Sequence, residues 1–125
     1  MRTESVIDVR AFIERVAYDP VLARKVIDLF VAEAPAMFAE IQQAIGAHDN
    51  TGLAAAAHAI KGSIGNFSTE RAYKLALELE KMGHNNDLSN VLKTLSLLED
   101  ETVLLISELK DPQTIGALER AMFTR

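Results

Sequence analysis

The sequence predicts an all-α protein, an antiparallel up-and-down four-helix bundle with a short N-terminal helix and a weak C-terminal helical extension. Apolar residues recur at spacings of three and four along most of the chain, which is the pattern of helices with one buried face. No stretch alternates apolar and polar residues between hairpin turns, so strands are not predicted. The turn residues fall between long helical stretches, and short loops make successive helices antiparallel neighbours.

The length and composition indicate one globular domain. The chain has 125 residues, and most domains contain about 100 to 150. Hydrophobic residues at 49% and charged residues at 25% are ordinary for a folded soluble chain and argue against general disorder. We expect a single domain over residues 1–125, with the bundle at about 7–110 and the extension at 111–125.

Charge and cysteine content exclude several classes of function. The net charge of −5 disfavours nucleic acids and anionic membrane surfaces, because both are negatively charged. The absence of cysteine excludes disulfides and thiol chemistry and is typical of a reducing compartment. No apolar run approaches the roughly 18 to 20 residues of a membrane span, and no signal-peptide apolar block opens the chain. We predict a cytoplasmic protein with no nucleic-acid and no membrane partner.

The first two helices begin at aspartates that can cap them. After Asp8, apolar residues at i, i+3, i+4 and i+7 predict a short amphipathic helix. Asp19 and Pro20 form the cap and first-turn pair of a long second helix that reaches about Ile45, because proline lacks an N–H that would be unpaired there. Pro35 lies inside this helix and removes one backbone hydrogen bond, so we expect a kink near it.

The third and fourth helices follow a turn rich in aspartate, asparagine and glycine. An apolar stripe spaced 4, 3, 4 and 3 from Leu53 to Phe67 predicts the third helix. Either Ser68 or Thr69 can cap the fourth, and Gly83 is expected to supply its C-terminal cap.

The fifth helix and the C-terminal segment differ in the strength of their pattern. A heptad-like seam over residues 88–109 predicts a long fifth helix, which Asp111-Pro112 ends. Residues 113–125 carry only a weak apolar stripe. The sequence does not decide whether this last segment packs on the bundle or frays.

One window, AAAAHAIKGSIGN, is not explained by packing. His58 lies at the edge of the buried face of the third helix, so its ring should reach solvent. Lys61 and Gly62 follow at i+3 and i+4, and Ala54 and Gly65 extend the patch with small residues. Each internal glycine costs a helix about 1 kcal/mol relative to alanine, so the bare surface suggests a need for space.

An exposed imidazole beside an ammonium suits phosphohistidine chemistry. Imidazole is about half neutral near pH 6.5 and is therefore an available nucleophile at pH 7, and Lys61 can offset the charge of the added oxygens. Alternatively, His58 and Lys61 are ordinary surface residues and a glycine ends a shorter helix. Two large apolar residues continue the helical spacing beyond Gly62, which argues against an end there. An end at Gly65 stays open.

The segment HAIKGSIGNF, from His58 to Phe67, resembles the H-x-x-K-G-[ST] signature of histidine phosphotransfer (HPt) domains. The similarity extends more loosely over about 7–110 and includes the runs DLFVAEAP and LALELEKMG. It implies a four-helix bundle in which His58 accepts a phosphoryl group from a receiver-domain phospho-aspartate and passes it to another receiver. The implied partners are response-regulator receiver domains and a hybrid histidine kinase. Mg²⁺ is implied in the receiver, and no cofactor in this chain.

The resemblance also implies roles for the residues after His58. Lys61 would assist the phosphoryl group, Gly62 would leave room for the docking receiver, and Ser63 would donate a hydrogen bond nearby. Gly65 occupies a position where the family tolerates small residues. We expect docking on a strip formed by Ala54, Gly62 and Gly65.

Glu80 corresponds to the residue with which family members often hold the imidazole, three residues before the closing Gly83. A carboxylate that accepts from one ring nitrogen fixes the tautomer and leaves the other nitrogen free to attack. The alternative is an ordinary exposed glutamate.

Metal and nucleotide chemistry are not predicted. Glu80 and His84 could share a helix face, but two ligands without a third make no metal site, and His48 lies in a turn. Ser63 has no partner at a recognisable catalytic spacing, and the chain lacks a phosphate-cradling loop for ATP. We expect a phosphocarrier rather than an enzyme. The starting Met favours a free-standing chain, and a piece of a larger hybrid protein stays open. The alternative is a helical adaptor bundle that binds partner helices and never carries phosphate.

Overall fold

The structure of the chain is a computed structural model that describes residues 6–67 and 69–123. This part of the chain contains six α-helices and no strands. The helices are α1 (Val9–Arg15), α2 (Pro20–Gly46), α3 (Asn50–Gly65), α4 (Glu70–His84), α5 (Val91–Leu109) and α6 (Pro112–Phe123). The predicted all-α class is confirmed.

Helices α2 to α5 form the bundle. α3 packs between α2 and α4, α4 also packs against α5, and α5 closes the ring by contacting α2. The last helix, α6, packs against α1 and α5 and buries Leu118 and Met122, so the segment after the fifth helix docks rather than frays over its described length. Across residues 6–67 and 69–123, no helix has the combination of length and apolar content that crossing a bilayer requires.

Aspartate side chains cap four of the helices, and one of these caps is Asp111, whose Oδ1 accepts from the backbone N–H of Gln113 in α6. Asp8 accepts a hydrogen bond from the backbone N–H of the third residue of α1, and Asp19 accepts from two backbone N–H groups of α2. Asp49 caps α3 by accepting from the N–H of Gly52. These bonds satisfy N–H groups that have no partner inside a helix, which explains why the starts of α1 and α2 were predicted correctly. α3 begins at Asn50, within the segment predicted as a turn. α2 is continuous through Pro35 for 27 residues.

The start of α4 differs from the other helix starts. Thr69 is the N-cap residue, but its side chain makes no capping hydrogen bond and its hydroxyl is buried. The alternative cap, Ser68, lies outside the described residues.

Three phenylalanines join α1, α2 and the end of α3 in the core. The ring of Phe67 lies 5.2 Å from that of Phe12 and 5.3 Å from that of Phe30, measured between centroids. Each of the three rings is buried. The backbone N–H of Asp8 also donates to the carbonyl of Phe67 at 3.1 Å. α3 ends at Gly65, the end that the sequence left open, and not at Gly62. The aromatic contacts hold Phe67 in the core just beyond that end.

Gly83 does not cap α4. The helix continues to His84, Asn85 follows as the cap, and Asn86 adopts the left-handed conformation. Gly83 is instead buried where α4 crosses α3, and a Cβ there would lie 2.7 Å from the backbone N of Ala54. Such a distance is shorter than carbon and nitrogen tolerate, so glycine is needed for the close approach of the two helices.

We expect Gly83→Ala to destabilise the bundle although alanine favours helix formation. Forcing a methyl group against backbone in a packed core costs about 1–3 kcal/mol, which exceeds the helix-propensity gain of about 1 kcal/mol. Gly62→Ala is the matched control, because a Cβ at Gly62 meets nothing within 4 Å and only the propensity gain applies. Urea unfolding followed by circular dichroism measures both. Equal stabilisation by the two substitutions would contradict the close helix crossing.

Candidate functional site

His58 stands on the exposed face of α3, between α2 and α4. Its side chain is 68% exposed, so the ring reaches solvent. The residues that share this face are small: Ala55, Ala59 and Gly62 are all exposed. These three lie at i−3, i+1 and i+4 from His58 and form what we call the small-residue strip.

A carboxylate from α4 holds the imidazole. Glu80 Oε2 lies 2.9 Å from Nδ1 of His58, and the other oxygen, Oε1, accepts a hydrogen bond from Nζ of Lys61 at 2.6 Å. The Glu80 side chain is only 13% exposed and that of Lys61 only 15%. Glu80 is therefore not an ordinary surface glutamate, because one carboxylate bridges two side chains of α3.

His58, Lys61 and Glu80 form a cluster whose charges determine which nitrogen of the imidazole carries no proton. The hydrogen bond from Lys61 is the main cause that lowers the pKa of Glu80, and the bond from His58 acts in the same direction, while burial opposes both. The same contact with Glu80 raises the pKa of Lys61. Glu80 is therefore ionised at neutral pH, and an ionised carboxylate only accepts hydrogen bonds. The bond to this carboxylate therefore requires a proton on Nδ1 of His58, and in the neutral imidazole the lone pair is then on Nε2.

Comparison with known proteins places the chain in a family. The Hpt domain family model matches residues 25–112, a span that includes α3 and α4 and with them the whole cluster. The chain belongs to the Hpt domain family. No curated protein and no solved structure was found to match the chain. The resemblance that rested on HAIKGSIGNF is confirmed at the level of the family.

Ala54 does not lie on the exposed surface of this Hpt domain, and its prediction as a docking residue is wrong. Its side chain is 4% exposed because the helix crossing at Gly83 covers it. The neighbouring Ala55 is exposed instead. Helical spacing places both alanines within one turn of His58, so only the position of α4 distinguishes the covered residue from the open one.

Gly62 and Gly65, the two glycines of the motif, have different surroundings. Gly62 is exposed and faces open space. Gly65 is half-buried beneath Tyr73 of α4, and a Cβ at Gly65 would lie 3.5 Å from that ring. The face that carries His58 is therefore open at Gly62, whereas Gly65 is covered by the ring of Tyr73.

Ser63 lies on the α2 side of α3 and is not brought together with the imidazole. Its hydroxyl donates to Sδ of Met37 at 3.8 Å. Residues five apart differ by about 140° around a helix, which accounts for the separation from His58. The structure thus gives Ser63 a contact between helices and no contact with the predicted phosphoacceptor.

His84 and Tyr73 complete the surroundings of Glu80. Nε2 of His84 lies 3.8 Å from Glu80 Oε2, and the ring centroid of Tyr73 lies 6.0 Å from Nζ of Lys61. Sequence reasoning missed Tyr73, although it precedes Glu80 by seven residues and so shares its helix face. Within the described ranges, no three His, Cys, Asp or Glu side chains are arranged to hold a metal ion.

Proposed function

We propose that this Hpt domain is the phosphocarrier of a two-component phosphorelay, in which His58 accepts a phosphoryl group from a receiver-domain phospho-aspartate and passes it to another receiver. The observation that carries the proposal is the exposed imidazole whose Nδ1 is held by Glu80. This arrangement leaves Nε2 unprotonated at the surface, as a nucleophile requires.

The proposed step transfers the phosphoryl group between two proteins. The lone pair on Nε2 of His58 attacks phosphorus, so an N–P bond forms while the P–O bond to the aspartate breaks and the aspartate leaves as a carboxylate. The ring gains a formal positive charge, and Nδ1 keeps its proton. The Glu80 carboxylate accepts a hydrogen bond from that N–H and stabilises the charged ring. Transfer to the next receiver reverses these bond changes.

In this proposal, Lys61 and the receiver balance the negative charge of the phosphoryl group. Lys61 places an ammonium beside the imidazole cluster and offsets part of the negative charge that the phosphoryl oxygens add. The receiver contributes an acidic pocket with Mg²⁺, which neutralises the transferring group. This chain is proposed to bind neither cofactor nor ATP, and to act in the cytoplasm between a hybrid histidine kinase and response-regulator receivers.

Docking is proposed to use the small-residue strip. Ala55, Ala59 and Gly62 are exposed on the face that carries His58, and short side chains let a second protein approach the helix backbone closely. Close approach is required because the aspartyl phosphate of the receiver must come within reach of Nε2, about 3–3.5 Å, before transfer begins.

The direct test of the proposed function is a transfer assay with the intact chain. A receiver carrying radiolabelled phosphoryl is mixed with the chain, and the proteins are separated. We expect label on the chain that survives alkali and is lost in acid, which is the behaviour of phosphohistidine. A receiver whose phosphoryl-accepting aspartate is replaced by asparagine serves as the control. A chain that receives no label but binds receivers would instead support the helical adaptor.

A further inference from the structure

We propose that Tyr73 is a positioning residue of the site, whose ring holds the Lys61 ammonium against Glu80 and thereby keeps Glu80 aligned with His58. The inference rests on the phosphotransfer function proposed above. Tyr73 belongs to α4, as Glu80 does, whereas Lys61 and His58 belong to α3. The cluster is therefore assembled across one helix interface.

The contacts of Lys61 carry the argument. Its Nζ lies 6.0 Å from the ring centroid of Tyr73, at the outer limit of the range for a cation–π interaction, and 2.6 Å from Glu80 Oε1. The Lys61 side chain is only 15% exposed, which is unusual for a lysine on a helix surface. The ammonium of Lys61 thus lies near both Glu80 and Tyr73.

The ring of Tyr73 packs over Gly65 of α3. A Cβ at Gly65 would lie 3.5 Å from Cε2 of Tyr73, an ordinary van der Waals contact, so the ring packs directly over this position of α3. Gly65 therefore lies under Tyr73, although helical spacing from His58 had suggested that it faces the docking partner.

The position of Lys61 determines which oxygen of Glu80 is left to bind the imidazole of His58. While the ammonium occupies Oε1, the other oxygen is left for Nδ1 of His58 at 2.9 Å. A released Lys61 would free Oε1 and allow the carboxylate to turn, and Nε2 of His84 lies 3.8 Å from Oε2 as a competing partner. Holding Lys61 therefore holds the tautomer and the orientation of the nucleophile.

Tyr73 is itself 39% exposed, so its ring could also contact the receiver directly. The two roles predict different results when Tyr73 and Lys61 are replaced together. A residue that acts through Lys61 loses its effect once Lys61 is gone, whereas a docking contact keeps its effect. A double-mutant cycle therefore separates them.

The first measurement is NMR of the unphosphorylated chain and does not depend on phosphotransfer. Protons above an aromatic ring shift upfield, so we expect upfield Lys61 ε-methylene resonances in the wild-type chain and in Tyr73→Phe. In Tyr73→Leu these resonances should move to ordinary lysine positions, and the nitrogen shifts of His58 should report a smaller Nδ1–H population. Unchanged Lys61 and His58 resonances in Tyr73→Leu would overturn the inference.

The second measurement is the rate of transfer from a phosphorylated receiver. We expect Tyr73→Leu to slow transfer about two- to fivefold, the range of a partly exposed cation–π contact, and Tyr73→Phe to restore the rate. In a Lys61→Met background, Tyr73→Leu should have no further effect. Phe123→Leu, at an exposed aromatic of α6, is the control for general loss of an aromatic.

The two measurements distinguish a failure of this inference from a failure of the proposed function. An equal fold-loss from Tyr73→Leu with and without Lys61 would overturn the inference and assign Tyr73 to docking. Failure of the wild-type chain to take any label would contradict the proposed function, while the NMR measurement would still decide whether Tyr73 holds Lys61.

Discussion

The substitution His58→Gln is expected to abolish phosphoryl acceptance completely while leaving the bundle folded. Glutamine offers an amide in place of the ring nitrogen, and an amide nitrogen has no available lone pair to attack phosphorus. The His58 side chain is 68% exposed, so its replacement removes little buried contact, and we expect the free energy of unfolding to change by no more than about 0.5 kcal/mol. The transfer assay and urea unfolding measure the two effects.

A matched histidine control tests whether the loss is specific. His48 lies in the turn between α2 and α3 in the left-handed conformation, which asparagine adopts readily, so His48→Asn should keep the fold. We expect this variant to take label at the wild-type rate. Label retained on His58→Gln at the wild-type level would show that another residue accepts the phosphoryl group.

The substitution Gly62→Gln is expected to slow transfer about 10- to 100-fold without unfolding the chain. A side chain at this position projects into open space, so the bundle itself accommodates it. In the complex the same side chain would occupy the volume that the receiver needs, and a displacement of about 1 Å between reacting groups can cost about 100-fold in rate. Glutamine also favours helix over glycine, so the variant should unfold at a higher urea concentration.

Ser96→Gln provides the control for an added glutamine. Ser96 is exposed on α5, which does not adjoin α3 in the ring of four helices. Its replacement should leave the transfer rate unchanged. A wild-type rate for Gly62→Gln would show that the receiver does not approach the small-residue strip, whereas slow transfer by both variants would indicate a general effect on the fold.

The helices could be predicted from sequence because their signals are local. Capping by Asp8 and Asp19 involves residues within three positions of each aspartate, and the periodic stripes report which face of a helix is buried. The ends of helices were less accurately predicted. Glycine is the residue type that often ends a helix, so Gly83 was predicted as a cap. Its neighbour in space is Ala54, about thirty residues earlier, and no local sequence pattern reveals that contact.

In the site too, the residues of one helix could be predicted from sequence, whereas the contacts between helices could not. His58, Lys61 and Gly62 follow from one helical segment, and Glu80 was placed by the resemblance to the family. Helical spacing placed Lys61 near the surface, but its side chain lies against Glu80 and Tyr73, so it is largely covered. The packing of α4 also determines which small residues of α3 are exposed to solvent: Ala54 is buried and Ala55 is exposed.

The position of the phosphoryl group on the His58 ring is the most direct test of the central claim. Phosphorus and nitrogen NMR of the labelled chain distinguish a phosphoryl group on Nε2 from one on Nδ1. Because the ionised Glu80 holds the Nδ1–H, we expect the N–P bond on Nε2 of His58, with Nδ1 still protonated. A phosphoryl group on Nδ1 of His58, or on any other residue, would contradict the account.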